Sequence, residues 1–126
     1  MNRLADKIAD SEFEVMRVLW DAKTALPVAE IREAICQKTG WEGSTAKTLL
    51  YRLKRKGVVE QEKRDVYYYS PRVTEDEYNE YMTQTLIDKL YKSSAKKLIA
   101  SLVSSKKLSE DDITELQEMF RGKKKR

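Results

Sequence analysis

The chain has no histidine, one cysteine, two prolines and four glycines among its 126 residues. Each scarcity removes a class of function. Without histidine, and with Cys36 alone, neither an intramolecular disulfide nor a zinc or haem site can be assembled, so no metal and no cofactor is expected. Cys36 follows the apolar Ile31 and Ile35 on one expected helix and fits a small core residue. The glycines are too few to cradle a phosphate, and no nucleophile has a base to activate it, so no enzyme is expected. The acidic pairs and runs, Glu75-Asp76-Glu77 and Asp111-Asp112, sit where helices begin and complement the helix dipole there. No apolar run approaches the roughly 18 residues that span a bilayer, and the N-terminus has no signal-peptide apolar segment; a cytoplasmic protein is expected.

What the chain has in abundance is charge, on 37 % of its residues. The apolar residues nevertheless recur in clear periods, which marks folded protein, either one ordinary domain or two small units. The formal net charge is only +4, but it is unevenly placed. Between Ser44 and Arg72 eight Lys and Arg face three acidic residues, a local excess larger than that of the whole chain. Such a basic patch suits a polyanionic partner.

The periods give an order of three helices, a hairpin and three more helices. Ser11-Glu12-Phe13-Glu14 has the pattern of a capping box, opening a helix that carries Val15, Met16, Val18, Leu19 and Trp20 to about Ala22. A second helix starts at Pro27 and runs to about Thr39, where Gly40 stops it; a third spans Ser44 to Lys56, with Gly57 after it. Val58 to Glu62 and Val66 to Ser70 alternate as two strands around a Lys63-Arg64-Asp65 turn. After Pro71 everything is helical. Thr74-Glu75-Asp76-Glu77 opens one helix, Ala95 to Val103 carries an apolar stripe, and Ser109 caps a last helix that Gly122 is expected to end. The fold class expected is mainly α with a small β-hairpin: a winged helix-turn-helix over 1–72 and a helical region over 73–126.

At about 3.6 residues per turn, Ala46, Leu49, Leu50 and Leu53 share the inward side of the third helix. Ser44, Thr48, Tyr51 and Arg55 fall opposite it, flanked by Lys47 and Arg52. Short hydrogen-bonding groups at the start can reach base edges in a DNA major groove, and the longer cations further along can meet phosphates. The preceding helix would brace this one, and the hairpin would form a wing with Lys63 and Arg64 at its tip. Double-stranded DNA is therefore the expected partner. A winged helix that serves only as a protein–protein interaction module, without sequence-specific DNA binding, is the competing reading. Tyr67 and Tyr69 share one face of the hairpin and Tyr68 the other; core packing is their expected role.

At these residues the sequence resembles the penicillinase-repressor (BlaI/MecI) family over nearly its full length. The marks are SEFEVMRVLW, TAKTLLYRLKRKGVVE, YYYSP, LIDKLY and LSEDDITELQEMF. The resemblance implies a homodimer with an N-terminal winged helix and a C-terminal three-helix dimerisation region. It implies binding to inverted-repeat operators and repression of transcription, which in the founding members controls β-lactam resistance genes in bacteria. By position Thr45, Lys47, Thr48 and Arg52 match the family's recognition-helix residues. Where family members often carry a Ser-Pro-Lys-Thr type turn, this chain has Glu42-Gly43-Ser44-Thr45, so the operator sequence does not carry over. The resemblance further implies a membrane sensor as partner, which triggers proteolysis in the dimerisation region. By position that bond is Ser101–Leu102, although the asparagine and phenylalanine typical of the family at the cut are absent. Leu102 also lies on a stripe expected to be buried, so that cleavage would need local unfolding. Copper-responsive relatives use a C-terminal Cys-X-Cys type motif, which this chain lacks.

A three-helix segment this small cannot bury its stripes alone, so pairing with a second copy is also the physical expectation. Tyr78, Met82, Leu86, Leu90, Leu98, Leu102, Leu116 and Phe120 are the expected interface core. The alternative is that this half packs only against its own winged helix. The terminal run Lys123-Lys124-Lys125-Arg126 is expected to be solubilising, or else to add non-specific phosphate affinity.

Overall fold

The structure, a computed structural model, describes residues 3–124, with side chains through 122. The Lys123–Arg126 run and its expected roles lie outside the described side chains. The chain divides into two compact units, Met1–Met82 and Thr83–Arg126.

In the first unit a short 3-10 helix (Arg3–Lys7) leads into α1 (Asp10–Ala22). Strand β1 (Leu26–Pro27), α2 (Val28–Thr39) and α3 (Gly43–Arg55) follow, then β2 (Val59–Lys63), β3 (Tyr67–Pro71) and the start of α4 (Glu75–Leu90). The three strands form an antiparallel sheet in the order β1-β3-β2, with Tyr69 between Leu26 on one side and Gln61 on the other. Apolar residues of α1, α2 and α3 meet in one core: Val15, Met16 and Leu19 with Ile31 and Ile35 and with Ala46, Leu49, Leu50 and Leu53. Val58, Val59 and Val73 complete it from the wing.

Several boundaries differ from the sequence reading, each for a local reason. Ser11 does not cap α1. Ala9 holds the cap position, and Glu12 reaches back from the third helical residue to accept its N–H at 3.0 Å. Only half of a capping box is made, because alanine has no side-chain acceptor. Both hairpin strands begin one residue later than the alternation suggests. Val58 belongs instead to the end of α3: its N–H donates to Leu53 O at 3.0 Å while Gly57 N–H donates to Lys54 O at 3.0 Å. With Gly57 at φ 79°, this is a Schellman closure, and it fixes where the wing leaves the helix. Strand β1 was not expected, since two residues show no period.

Tyr78 is the larger correction. It does not stand in an exposed dimer face but is buried at 6 % exposure in the core of the first unit. Its ring stacks on Phe13 at 5.1 Å and lies 5.6 Å from Trp20. Tyr81 also packs against this core, so the first unit runs past residue 72 into α4. Trp20 ties the same region together by donating its Nε1–H to Val73 O at 2.8 Å.

The second unit holds the rest of α4, α5 (Ala95–Ser104) and α6 (Glu110–Lys124). Its caps follow the sequence reading. Ser109 and Asp112 exchange hydrogen bonds at 3.0 Å each, and donation from the Ser109 backbone N–H, then from its hydroxyl, holds the Asp112 carboxyl below its usual range. The start of α4 has the same reciprocal pair in Thr74 and Glu77, at 2.9 and 3.0 Å. Gly122 does not stop α6, which continues to Lys124. Glycine permits a left-handed cap but does not impose one.

Candidate nucleic-acid interface

The recognition face is built from the core outward. Ala46, Leu49, Leu50 and Leu53 are all buried, which turns the opposite side of α3 to solvent. Ser44, Thr45, Lys47, Thr48, Tyr51, Arg52 and Arg55 are all exposed there, as the helical period requires. Ser44, Thr45, Thr48 and Arg52 border one shallow concavity of about 230 Å³ with Leu49 at its floor. Thr48 Oγ1 donates to Ser44 O at 3.0 Å, so its hydroxyl is oriented and still has lone pairs to offer. Further along, the Arg55 guanidinium lies 6.0 Å from the Tyr51 ring centroid.

The cations of the basic segment do not share one role. Lys56 Nζ donates to the buried Glu12 carboxylate at 2.6 Å and to Lys7 O at 2.9 Å, which makes it a tie between the end of α3 and the start of α1. At the wing, Arg64 in the turn is drawn back onto the two strands. It donates to both Glu62 carboxylate oxygens at 3.3 Å and lies 4.4 Å from the Tyr68 ring, and the bond to Glu62 raises its already high pKa. Lys63 lies 5.0 Å from the Tyr67 ring and makes no ion pair among the described residues. The tyrosines split differently from the expected core role: Tyr69 packs against the core and accepts from Gln61 Nε2 at 2.8 Å, whereas Tyr67 is exposed.

One residue escaped the sequence reading. The guanidinium of Arg32, on α2, lies against Gly43 at the first position of α3. A glycine opening a helix is the only hint the sequence offers, and the close approach explains it.

In the second unit, Leu86, Leu90, Leu116 and Phe120 stand exposed, as does Met82 at the end of the first unit. Leu98 and Leu102 are half-buried, and the exposed large apolar residues of α5 are Ile99 and Val103. With Leu108, Ile113, Leu116 and Phe120 these two line an apolar cleft of about 340 Å³. No residue of α5 is buried within the chain, so the stripe through Leu102 is not covered as expected. Ser101 is exposed, within helical backbone.

No group of acidic or cysteine residues among those described could hold a metal, and no described helix is long and apolar enough to cross a membrane.

The chain's relatives bear on this surface directly. The model of the penicillinase repressor family matches residues 8–122. The methicillin resistance regulatory protein MecI of Staphylococcus aureus (strain N315) is 31 % identical over 124 residues, covering 98 % of this chain and 100 % of that one. The solution structure of the DNA-binding domain of the repressor BlaI is 30 % identical with a TM-score of 0.53, over 62 % of this chain and 94 % of that one. The solution structure of Bacillus licheniformis BlaI in monomeric form, in complex with the blaP half-operator, is 32 % identical with a TM-score of 0.50, over 56 % and 87 %.

Proposed function

This chain belongs to the penicillinase repressor family, and on that premise we propose how it works as a DNA-binding transcriptional repressor. The observation that carries the reading is the division of α3: its four apolar side chains are all buried, while its polar and cationic ones all face solvent beside a wing with Lys63 at the tip. In the proposed complex α3 enters the major groove. Ser44, Thr45, Lys47 and Thr48 meet base edges, Arg52 and Arg55 meet phosphates, and Lys63 touches the backbone alongside. Arg64 must first leave Glu62 to do the same.

One recognition helix reads few base pairs, so the repressor is a homodimer on an inverted-repeat operator. Support comes from the second unit, where Leu90, Ile99, Val103, Met119 and Phe120 are exposed on helices that bury little within the chain. The names of the relatives favour control of β-lactam resistance genes in the bacterial cytoplasm. Release by a membrane sensor's proteolysis at Ser101–Leu102 requires α5 to unwind locally, because an exposed bond in a helix is still held in the wrong backbone conformation for a protease.

Recovery of source-genome fragments by the purified full-length protein tests the reading. Enrichment of an inverted repeat within promoters is expected. Recovery without a shared motif would reduce the activity to electrostatic binding, and no recovery would favour a protein-interaction module.

A further inference from the structure

Arg32 is an exposed cation on the bracing helix α2, and its head group is laid over the start of the recognition helix. A β-carbon built on Gly43 would stand 2.7 Å from Arg32 Nη2, 2.8 Å from Nε and 3.2 Å from Cζ. Any larger residue at 43 would push the guanidinium from this seat. Backbone conformation does not call for glycine here, since only Gly40 and Gly57 among the described glycines have positive φ. The close approach of Arg32 is the reason that remains.

The guanidinium lies over Gly43 without an ion-pair partner among the described residues. The ion pairs among the described residues are Lys38–Glu14, Lys56–Glu12 and Arg64–Glu62, and Arg32 has none. Its neighbour Glu33 accepts instead from Gln37 Nε2 at 3.4 Å, and the first turn of α3 has no acidic residue. A planar fork of N–H donors therefore lies against the first residue of α3, one position before the exposed Ser44, and makes no ion pair among the described residues. Guanidinium groups so placed bind phosphate oxygens with two parallel hydrogen bonds.

We propose that Arg32 is a DNA phosphate clamp, contributed by α2, that fixes how the N-terminus of α3 sits in the groove. The proposal rests on the DNA-binding reading and assigns α2 a contact of its own beyond bracing. Because Arg32 is exposed, its replacement leaves the fold intact, and Arg32→Gln removes the charge while its amide reaches as far as the Nε position.

The test is the affinity of the full chain for a mixed-sequence duplex, measured by fluorescence anisotropy over a salt series. Each phosphate contact contributes about 0.9 to the slope of log affinity against log salt. Arg32→Gln is expected to lower that slope by about 0.9 and to weaken binding about fivefold at ~0.15 M salt. Lys96→Ala, which removes an exposed cation from α5 in the second unit, is expected to leave the slope unchanged. An unaltered slope in Arg32→Gln, or an equal drop in both variants, overturns the proposal alone. Absence of binding by the unaltered chain would remove the DNA-binding reading and this proposal with it.

Discussion

Glu12 is almost sealed from water, at 1 % exposure, yet its Oε1 accepts from two donors: Ala9 N–H at 3.0 Å and Lys56 Nζ at 2.6 Å. Removing one member of a fully buried ion pair costs about 3–5 kcal/mol. Lys56 is 35 % exposed, so solvent screens the pair and Glu12→Ala is expected to cost about 2 kcal/mol, read from denaturant unfolding. Lys56→Met should cost at least as much, since it leaves the buried carboxylate charged without its cation, whereas loss of the carboxylate leaves a lysine that water can solvate. Tyr78 gives a second residue-scale test. Burial, and secondarily the nearby Asp10 charge, lifts its hydroxyl above the ordinary tyrosine value of 10.0. The folded state thus favours the neutral phenol, and its contribution is complete below pH ~10 and lost as pH rises through the lifted value. Tyr78→Phe should keep the stack on Phe13 and show a shallower fall in stability on the alkaline side; an unchanged alkaline fall would mean that Tyr78 ionises as freely as in the unfolded chain.

Among the elements, the junction of α3 with the wing has the tightest geometric demand. Gly57 is left-handed at φ 79°, and a β-carbon there would meet nothing within 4 Å. Gly57→Ala therefore isolates the backbone cost, about 1–2 kcal/mol, with no steric clash added. Thermal unfolding should show it, and a neutral result would mean that the Schellman closure is dispensable. This junction was legible in the sequence because glycine followed an apolar helical period, and the buried face of α3 was legible for the same reason. The half-made cap at Ala9 was hidden, since a box needs Glu12 but tolerates a poor partner. Strand β1 is too short to carry a pattern. Tyr78 misled because a helix period reports which side is apolar and not which neighbour covers it. Arg32 was invisible for a related reason: charge and exposure describe many cations, and only the approach to Gly43 singles it out.

At the scale of the whole molecule, the recognition surface and the exposed apolar residues of the second unit solve different halves of one problem. In the proposed repressor the first contacts a half-site, and the second is the surface that joins two copies. Leu90 and Phe120 are 62 % and 64 % exposed, against the usual preference of such side chains for burial. Fully burying an apolar side chain of this size contributes about 1.5–3 kcal/mol. In sedimentation, the unaltered chain is expected to be a dimer, and Leu90→Asp or Phe120→Asp to weaken association by at least about tenfold. A monomeric parent, or variants that associate as tightly as it does, would place these residues outside the interface.

The outward face of α3 is the centre of the functional reading, and its most direct test is operator affinity with that face altered. On an operator fragment recovered from the source genome, Lys47→Ala and Arg52→Ala are each expected to cost about 1–3 kcal/mol of binding while leaving thermal stability unchanged. Full affinity in both variants would contradict the assignment of α3 as the helix that reads DNA.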